Sequence, residues 1–316
     1  MAAPTLAIVV PCYKETEALP ASLGTLLGLL DEFAAEGIAA PDSYIMCVDD
    51  GSPDATWSVI EEWHGRDSRV KGIRLAHNRG HQCALLAGVD AVADRCDAAV
   101  TIDADLQDDP RAMRAMLGHM ADGAEIVYGV RSSRESDSWF KRTTAQGFYK
   151  FQHMLGLETV YNHADYRLMS ARALRYLRQY GESNIFLRGI VPQIGLQTAV
   201  VEYPRTARTA GETHYPLSKM IALSIDGVTS FTAKPMRWIF TVGLLLLVVD
   251  IAVALWVLIA YFRHATISGW ASLMLSVWFL GSLILMGLGI VGEYIGKIYT
   301  EVKHRPRYAL RDELFD

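Results

Sequence analysis

The first 130 residues alternate short apolar runs with longer amphipathic stretches. The short runs are rich in β-branched residues and favour strands, whereas the longer stretches have the apolar spacing of helices. This alternation is typical of an α/β domain, in which helices cover a mostly parallel sheet. The predicted strands are Leu6–Val10, Tyr44–Val48, Val70–Leu75, Ala98–Ile102 and Ile126–Val130, and the predicted helices are Leu19–Ala35, Ala55–Trp63, Gln82–Val92 and Pro110–Met120.

Two long apolar stretches follow in the second half of the chain. Residues Trp238–Phe262 carry one charge, Asp250, and residues Trp270–Val291 carry none. A helix of 25 residues is ~37 Å long and can cross a hydrocarbon core of ~30 Å, which favours a transmembrane hairpin over two buried core helices. Lys and Arg are more frequent on the outer flanks than in the connector, so both flanks and both termini are expected on the cytoplasmic side.

The segment Pro216–Lys234 lies between the α/β domain and the first apolar stretch. Its apolar residues are spaced as in an amphipathic helix at a membrane surface, although a core-packed helix has the same pattern. The tail after Pro306 is expected to be a loose cytoplasmic end. The predicted domains are the α/β domain at 1–214, the interfacial amphipathic helix at 215–236, the two transmembrane helices at 237–292 and the cytoplasmic tail at 293–316.

The composition agrees with a globular domain attached to a membrane. Hydrophobic residues make up 51% of the 316 residues and charged residues 21%, and the mean hydropathy is +0.16. Lys and Arg number 30 against 35 Asp and Glu, a net charge of −5, so no nucleic acid partner is expected. The four cysteines form no CxxC pair, which argues against a disulfide framework or a zinc site. The N-terminus lacks the basic region of a signal peptide and is expected to form the first strand.

Polar residues follow the predicted strands, at the sheet edge where open α/β folds bind ligands. Asp103 and Asp105 flank Ala104 after one apolar strand. If the extended geometry continues there, both carboxylates project to the same side and repel each other unless a cation neutralises them. Oxygen ligands favour Mg²⁺ or Mn²⁺, which often bridges carboxylates to substrate phosphates. The alternative is an acidic loop that caps the helix beginning at Pro110.

Three other segments at this edge each have two interpretations. The Asp-Asp-Gly-Ser segment at 49–52 either accepts hydrogen bonds from a base or ribose or forms an ordinary turn with a helix N-cap. Residues 11–15 offer an aromatic ring for stacking or form a polar turn, and residues 77–81 contact phosphate or only solvate a loop. No GxGxxG motif follows the first strand and no GxxxxGK[ST] motif occurs, so a dinucleotide fold or a P-loop is not indicated.

Six motifs occur in a distinctive order along the chain: VVPCYKE (9–15), VDDGS (48–52), NRGHQCALLAG (78–88), TIDADLQDDP (101–110), YGVR (128–131) and DYRLMS (165–170). In this order, followed by two apolar spans, they resemble the family 2 glycosyltransferases of GT-A fold. The resemblance is greatest to the polyprenyl-phosphate glycosyltransferases, which include dolichyl-phosphate mannose synthases and bactoprenol glucosyltransferases. It implies a membrane-bound enzyme, in a homo-oligomer such as a tetramer, that transfers a sugar from a nucleotide sugar donor to a polyprenyl phosphate acceptor.

The resemblance also implies roles for individual residues. The donor-binding residues would be Pro11, Tyr13, Glu15, Asp49, Asp50, Asp103, Ala104, Gln107 and Arg131. The metal, Mg²⁺ or Mn²⁺, would be held by Asp103, Asp105 and Gln107. The catalytic residues would be Asp105, Asp165 and Arg131, with Asp165 and Arg167 beside the sugar. The acceptor phosphate would be held by Arg205, Arg208, His214 and Lys219.

His214 departs from the family pattern, in which a lysine is usual at this position. A histidine with an ordinary pKa of ~6.5 is only partly charged near neutral pH, whereas a lysine is fully charged. We therefore expect Arg208, helped by Arg205 or Lys219, to carry most of the charge that meets the acceptor phosphate. His214 would add to that charge as the pH falls.

The sequence thus predicts a single-hexose transfer to undecaprenyl phosphate at the cytoplasmic face of the inner membrane, by a multi-pass protein, with UDP-glucose as the favoured donor. The acceptor phosphate is already anionic, so it can attack the sugar carbon directly with little help from a base. Such an attack inverts the anomeric carbon and gives a β-linked product from an α-linked donor. The alternatives are UDP-N-acetylglucosamine, UDP-galactose or GDP-mannose as donor, a processive polysaccharide synthase, a non-catalytic membrane-anchored nucleotide-sugar binding protein and a small transporter.

Overall fold

The computed structural model describes residues 3–131, 163–182, 185–204 and 269–315, together with eight helical positions between 239 and 255. The described residues form two compact units. The first unit contains those up to 204 and those from 305 onward, and the second contains those between 239 and 304.

The first unit is built on a sheet of eight described strands. They are β1 (Leu6–Cys12), β2 (Tyr44–Asp49), β3 (Val70–Leu75), β4 (Ala98–Thr101), β5 (Ile126–Arg131), β6 (His163–Ser170), β7 (Thr198–Tyr203) and β8 (Leu310–Leu314). Their order across the sheet is β7-β5-β6-β4-β1-β2-β3-β8. The pairs β1–β2, β1–β4, β2–β3 and β5–β7 are parallel, whereas β6 and β8 are antiparallel to their neighbours. The predicted α/β class is confirmed, as a mixed sheet.

The helices described in this unit are α1 (Leu19–Ala35), α2 (Thr56–Arg66), α3 (His81–Val92), α4 (Ala112–Ala121), α5 (Ala171–Leu177) and α6 (Leu187–Gln193). Every residue of β1 and β2 is buried, because helices cover both faces of the central sheet. The helix α3 packs very close to this sheet. A Cβ atom added to Gly88 would come within 2.4 Å of Val9 Cγ1 and 2.7 Å of Val48 Cγ2. Its N-terminal residue His81 is thereby brought to the carboxyl edge of the central strands.

The expectation of a loose C-terminal tail is wrong. Residues Leu310–Leu314 form β8, which pairs antiparallel with β3 from Gly72↔Leu314 to Leu75↔Leu310. The edge strand β3 offers backbone N–H and C=O groups that this segment satisfies. The partners lie more than 230 residues apart in sequence, so no local pattern of the short, charged segment LRDEL could indicate the pairing.

The second unit contains the long helix α7 (Trp270–Val302), of 33 residues. It includes the predicted span Trp270–Val291 and continues beyond it. Within its section Phe279–Val302, a window of 18 residues reaches a mean hydropathy of 1.7 and none of that window is buried, so the section is long and apolar enough to cross a membrane. The eight described positions between 239 and 255 are helical, within the predicted first span. The predicted interfacial helix at 215–236 and Asp250 lie outside the described residues.

Candidate active site

The ends of β1 and β2 are joined by hydrogen bonds at the carboxyl edge of the sheet. The Lys14 backbone N–H donates to Ser52 Oγ at 3.1 Å, and the Glu15 backbone N–H donates to Thr56 Oγ1 at 3.0 Å. Tyr13 is 43% exposed in this segment, and Pro11 is buried within β1. The segment therefore presents an accessible aromatic ring beside the turn at 49–52.

Asp49 is a buried part of this turn. One of its oxygens accepts the Ser52 backbone N–H at 3.0 Å, and the other lies 3.2 Å from Arg74 Nε. Burial raises the pKa of Asp49, while the hydrogen bonds from Ser52 lower it. These contacts agree with the turn interpretation of this aspartate, whose side chain is fully enclosed.

Asp50 holds the loop that joins β3 to α3. Its two oxygens accept the backbone N–H groups of Arg79 at 2.7 Å and Gly80 at 2.9 Å. Gly51 lets this loop approach, since it has a φ of +62° and a Cβ atom there would lie 2.7 Å from the carbonyl carbon of His77. Asp50 thus positions the residues that precede α3.

The acidic pair lies in a turn after β4, so the condition of extended geometry does not hold there. The Leu106 backbone N–H donates to the Asp103 carbonyl at 3.1 Å, and Leu106 has a φ of +45°. Ala104 is buried, and its carbonyl accepts a hydrogen bond from Ser22 Oγ at 2.6 Å. This bond fixes the turn against α1 and leaves Asp105 exposed.

Several carboxylates share this exposed turn. The Asp103 side chain is 41% exposed. Partial burial raises the pKa of Asp103, and the charges of Asp165 and Asp105 raise it further against the opposing effect of His81. The pKa of Glu15 is also raised, by burial and then by Asp105 and Asp103. Asp103, Asp105 and Glu15 are therefore close enough to repel one another.

Two neighbouring residues are positioned by this acidic segment. The Gln107 side-chain amide donates to Asp105 Oδ2 at 2.7 Å and so orients that carboxylate. The buried Asp108 accepts two hydrogen bonds from Arg131, at 2.7 Å from Nε and 3.0 Å from Nη2. This hydrogen-bonded pair raises the pKa of Arg131 and keeps its charge at the end of β5.

The donor atoms of the acidic pair fit a hard divalent cation. In the part of the chain that the structure describes, no three His, Cys, Asp or Glu side chains are arranged to hold a metal ion on their own. Mg²⁺ is commonly held by one or two carboxylates together with substrate phosphates. Asp103 and Asp105 could therefore hold such an ion jointly with a phosphate, with Gln107 orienting Asp105.

Asp165 lies near the N-terminal end of β6 with its side chain only 9% exposed. It pairs with Arg167 at 2.7 Å and with Arg188 at 3.2 Å, and it accepts a hydrogen bond from Gln82 Nε2 at 3.3 Å. Burial alone would raise the pKa of Asp165, but a hydrogen bond from His81 and the charges of Arg167 and Arg188 hold it far below its usual range. The carboxylate is therefore ionised and a weak base.

His81 connects Asp165 to the acidic pair. Its Nε2 atom lies 3.5 Å from Asp165 Oδ2 and 3.6 Å from Asp103 Oδ1. Burial alone would lower the pKa of His81, but the two carboxylates outweigh that effect and raise it. From the sequence alone, His81 is expected only in a segment that contacts phosphate or solvates a loop.

The sequence alone predicts no role for Gln82 or Arg188 in the site. Gln82 Oε1 accepts the Leu187 backbone N–H at 3.0 Å, which ties α6, the helix that carries Arg188, to the Asp165 carboxylate. These contacts join segments about 80 to 105 residues apart. The motif NRGHQ marks the position of Gln82, but only the folded sheet shows what it contacts.

Arg167, which was expected beside the sugar, is enclosed within the sheet. It is 1% exposed and donates to the Leu187 carbonyl at 3.2 Å as well as pairing with Asp165. Since β6 runs antiparallel to β4 and Arg167 lies opposite Thr101, Arg167 is inside the sheet while Asp165 is at its edge. Arg167 therefore positions Asp165.

The residues expected at the acceptor phosphate lie outside the described residues, and their role stays a prediction. They are Arg205, Arg208, His214 and Lys219.

Comparison with known proteins identifies the family. The model of glycosyl transferase family 2 matches residues 7–178. The uncharacterized glycosyltransferase YkoT of Bacillus subtilis is 47% identical over 313 residues, covering 99% of this chain and 93% of that protein. The bactoprenol glucosyl transferase of Shigella phage SfV is 35% identical over 310 residues, covering 98% of each. A solved mannosyltransferase of Pyrobaculum calidifontis, in complex with GDP-Man and Mn²⁺, is 15% identical with a TM-score of 0.45, over 94% of this chain and 85% of that one. The chain belongs to glycosyl transferase family 2 and is a glycosyltransferase.

Proposed function

We propose that this glycosyltransferase transfers one hexose from a nucleotide diphosphate sugar, with UDP-glucose the favoured donor, to undecaprenyl phosphate. The acceptor class is supported by relatives that are named bactoprenol glucosyl transferases and match along nearly the whole chain. The membrane location of such an acceptor is consistent with the exposed apolar helix α7. The donor choice follows the same relatives.

The observation that carries the proposal is the exposed acidic turn at the carboxyl edge of the sheet. Asp103 and Asp105 offer oxygen ligands there, and the pKa of Asp103 is raised by partial burial and further by neighbouring carboxylates. Bound Mg²⁺ or Mn²⁺ would act as a Lewis acid that offsets charge on the departing diphosphate. Arg131, fixed by Asp108, would add a positive charge at the same edge.

Asp165 would orient the sugar or stabilise positive charge on it, rather than act as a base. Its pKa is held far below the usual range, so it accepts a proton poorly. A phosphate acceptor is already anionic near neutral pH and needs little proton removal. Direct attack by that phosphate would invert the anomeric carbon.

The acceptor phosphate would be held by Arg208 with Arg205 or Lys219, and His214 would add charge as the pH falls. The apolar tail of the acceptor would remain in the bilayer, so the site would lie at the membrane surface. We further propose a multi-pass protein of the cytoplasmic membrane, with the α/β unit on the cytoplasmic side and a homotetramer as the assembly.

The proposal is tested by supplying the detergent-solubilised full chain with undecaprenyl phosphate, Mg²⁺ or Mn²⁺, and each of four radiolabelled donors. The donors are UDP-glucose, UDP-N-acetylglucosamine, UDP-galactose and GDP-mannose. We expect a radiolabelled lipid product with UDP-glucose. The variant Asp105→Ala should lose about a hundredfold or more of the turnover, because it removes a ligand of the metal ion that would offset charge on the departing diphosphate.

A matched control is Asp122→Ala, which removes an exposed aspartate at the end of α4, away from the acidic turn. This control should keep full turnover, and both variants should melt like the wild type. Full turnover in Asp105→Ala would remove the role of the acidic turn, and the absence of a lipid product with every donor would remove the proposed reaction.

A further inference from the structure

The C-terminal segment lies along the loop that leads to His81. We define the strap as residues 307–314 and the loop as residues 76–80. The Ala76 backbone N–H donates to the Ala309 carbonyl at 2.8 Å, and Arg79 Nε donates to the Arg307 carbonyl at 2.7 Å. The strap therefore contacts the loop near both of its ends.

The strap is itself firmly attached to the first unit. Its β8 portion pairs with β3 along the sheet edge. The Tyr308 hydroxyl donates to Asp90 on α3 at 2.8 Å, and the Arg307 guanidinium hydrogen-bonds to the Tyr180 carbonyl. The strap is thus fixed to the same helix whose first residue is His81.

Among the described residues, the loop has few other supports. Residues 76–79 are exposed to solvent. From the sheet side, Asp50 accepts the backbone N–H groups of Arg79 and Gly80. From the other side, the Arg307 carbonyl of the strap accepts a hydrogen bond from the Arg79 side chain. Arg79 is therefore the loop residue that is held on both sides, by its backbone and by its guanidinium.

We propose that Arg79 is a positioning residue, which uses the strap to hold the loop so that His81 stays between Asp103 and Asp165. His81 follows Arg79 by two residues and begins α3. A shift of the loop would move the imidazole away from the two carboxylates that it connects at 3.5 and 3.6 Å. The effect on catalysis rests on the proposed function, whereas the effect on the loop does not.

The test compares three variants of the full chain in detergent. Arg79→Met removes the bond to the strap and keeps a long side chain, whereas Arg79→Lys keeps a charged donor. The matched control is Arg311→Met, which removes a positive charge from β8. The Arg311 side chain is 60% exposed and pairs with Asp312 at 3.6 Å. The measurements are hydrogen exchange of residues 76–83, the melting temperature, and kcat and KM for the donor.

For Arg79→Met, loss of one charge-assisted hydrogen bond should speed exchange in residues 76–83 about tenfold, with a melting temperature within about 2 °C of the wild type. The kcat should fall by about tenfold, because a small displacement of positioned groups lowers the rate strongly. Arg79→Lys should recover most of both losses, and Arg311→Met should change neither.

Unchanged exchange in Arg79→Met would overturn the proposal, and so would faster exchange with an unchanged kcat. A large fall in melting temperature that Arg79→Lys does not recover would also overturn it, since the residue would then serve general stability. If the wild type makes no lipid product with any donor, the proposed function fails, and the exchange measurements alone decide whether the strap holds the loop.

Discussion

At the scale of single residues, the charged groups of the site form two kinds of arrangement. Asp165 and Asp108 are nearly enclosed, and each pairs with arginine. Asp103 and Asp105 are instead accessible and lie near other carboxylates. The first arrangement holds its charges in place without a ligand. In the second arrangement the carboxylates repel one another, and a bound cation would reduce that repulsion. The acidic turn is therefore the part of the site suited to a metal ion.

Asp165 pairs with one buried and one exposed arginine, so we expect the loss of each pair to lower the unfolding free energy by a different amount. In Asp165→Asn the buried Arg167 loses its counter-charge, so unfolding free energy at pH 7 should fall by about 3 kcal/mol. Arg188 is 42% exposed, so Arg188→Gln should cost less than about 1 kcal/mol. Urea titration of both variants in the same detergent measures the difference.

The pH dependence of this difference has a definite sign. Because the folded pKa of Asp165 is lowered, its stabilising effect is complete above the unfolded pKa of ~3.9 and is lost as the pH falls through the folded value. The Asp165 carboxylate itself therefore adds no pH dependence above about pH 5. Together with Asp103 it raises the pKa of His81 against the effect of burial, so the gap in unfolding free energy between Asp165→Asn and the wild type should widen as the pH falls from 7 to about 5. An Asp165→Asn variant as stable as Arg188→Gln would show that the buried pair does not contribute as described.

At the scale of elements, α3 determines where the site residues meet. Its close packing depends on Gly88, which leaves no room for a Cβ atom above Val9 and Val48. This contact brings the N-terminus of the helix, with His81 and Gln82, toward Asp165. The site geometry is thus set by a packing contact in the middle of the helix.

Gly88→Ala should accordingly destabilise the first unit by about 1 to 3 kcal/mol, because the helix must move off the sheet. The control Gly118→Ala, on α4, has no atom within 4 Å of the added Cβ and should stabilise by up to about 1 kcal/mol. Chemical denaturation distinguishes these opposite signs. Equal effects in both variants would contradict the close packing of α3.

The sequence predicted the elements well where the signal is local. The bounds of α1 and β3 agree with the prediction because the apolar residues that mark each segment are close together in the sequence. The strand β8 was missed because its pairing with β3 is distant in sequence. The positions of Asp103 and Asp105 near His81 depend on a turn held by Ser22, which is also a distant contact. Residue types at the site could therefore be predicted, whereas their partners could not.

At the scale of the whole molecule, the two units have contrasting surfaces. The first unit buries its apolar residues in the sheet core. The second exposes large apolar side chains along α7, among them Leu285, Met286 and Leu288 at 61 to 70% exposure. A contiguous apolar surface of this kind is rare in contact with water and is typical of a surface that meets lipid or another protein.

Lipid contact along α7 can be measured with a fluorescent label at single cysteines in vesicles that contain nitroxide lipids. Cys83 and Cys96, the two cysteines that are not fully buried, would first be replaced by alanine. The label at Leu285→Cys, where the side chain is 70% exposed, should lose roughly half or more of its fluorescence, because an apolar helix of this length lies within the hydrocarbon core. The matched label at Val200→Cys, 48% exposed on β7 of the first unit, should lose less than about a tenth. Equal and weak quenching at both positions would mean that α7 is covered by protein, and the membrane-surface location of the acceptor site would then lose its physical basis.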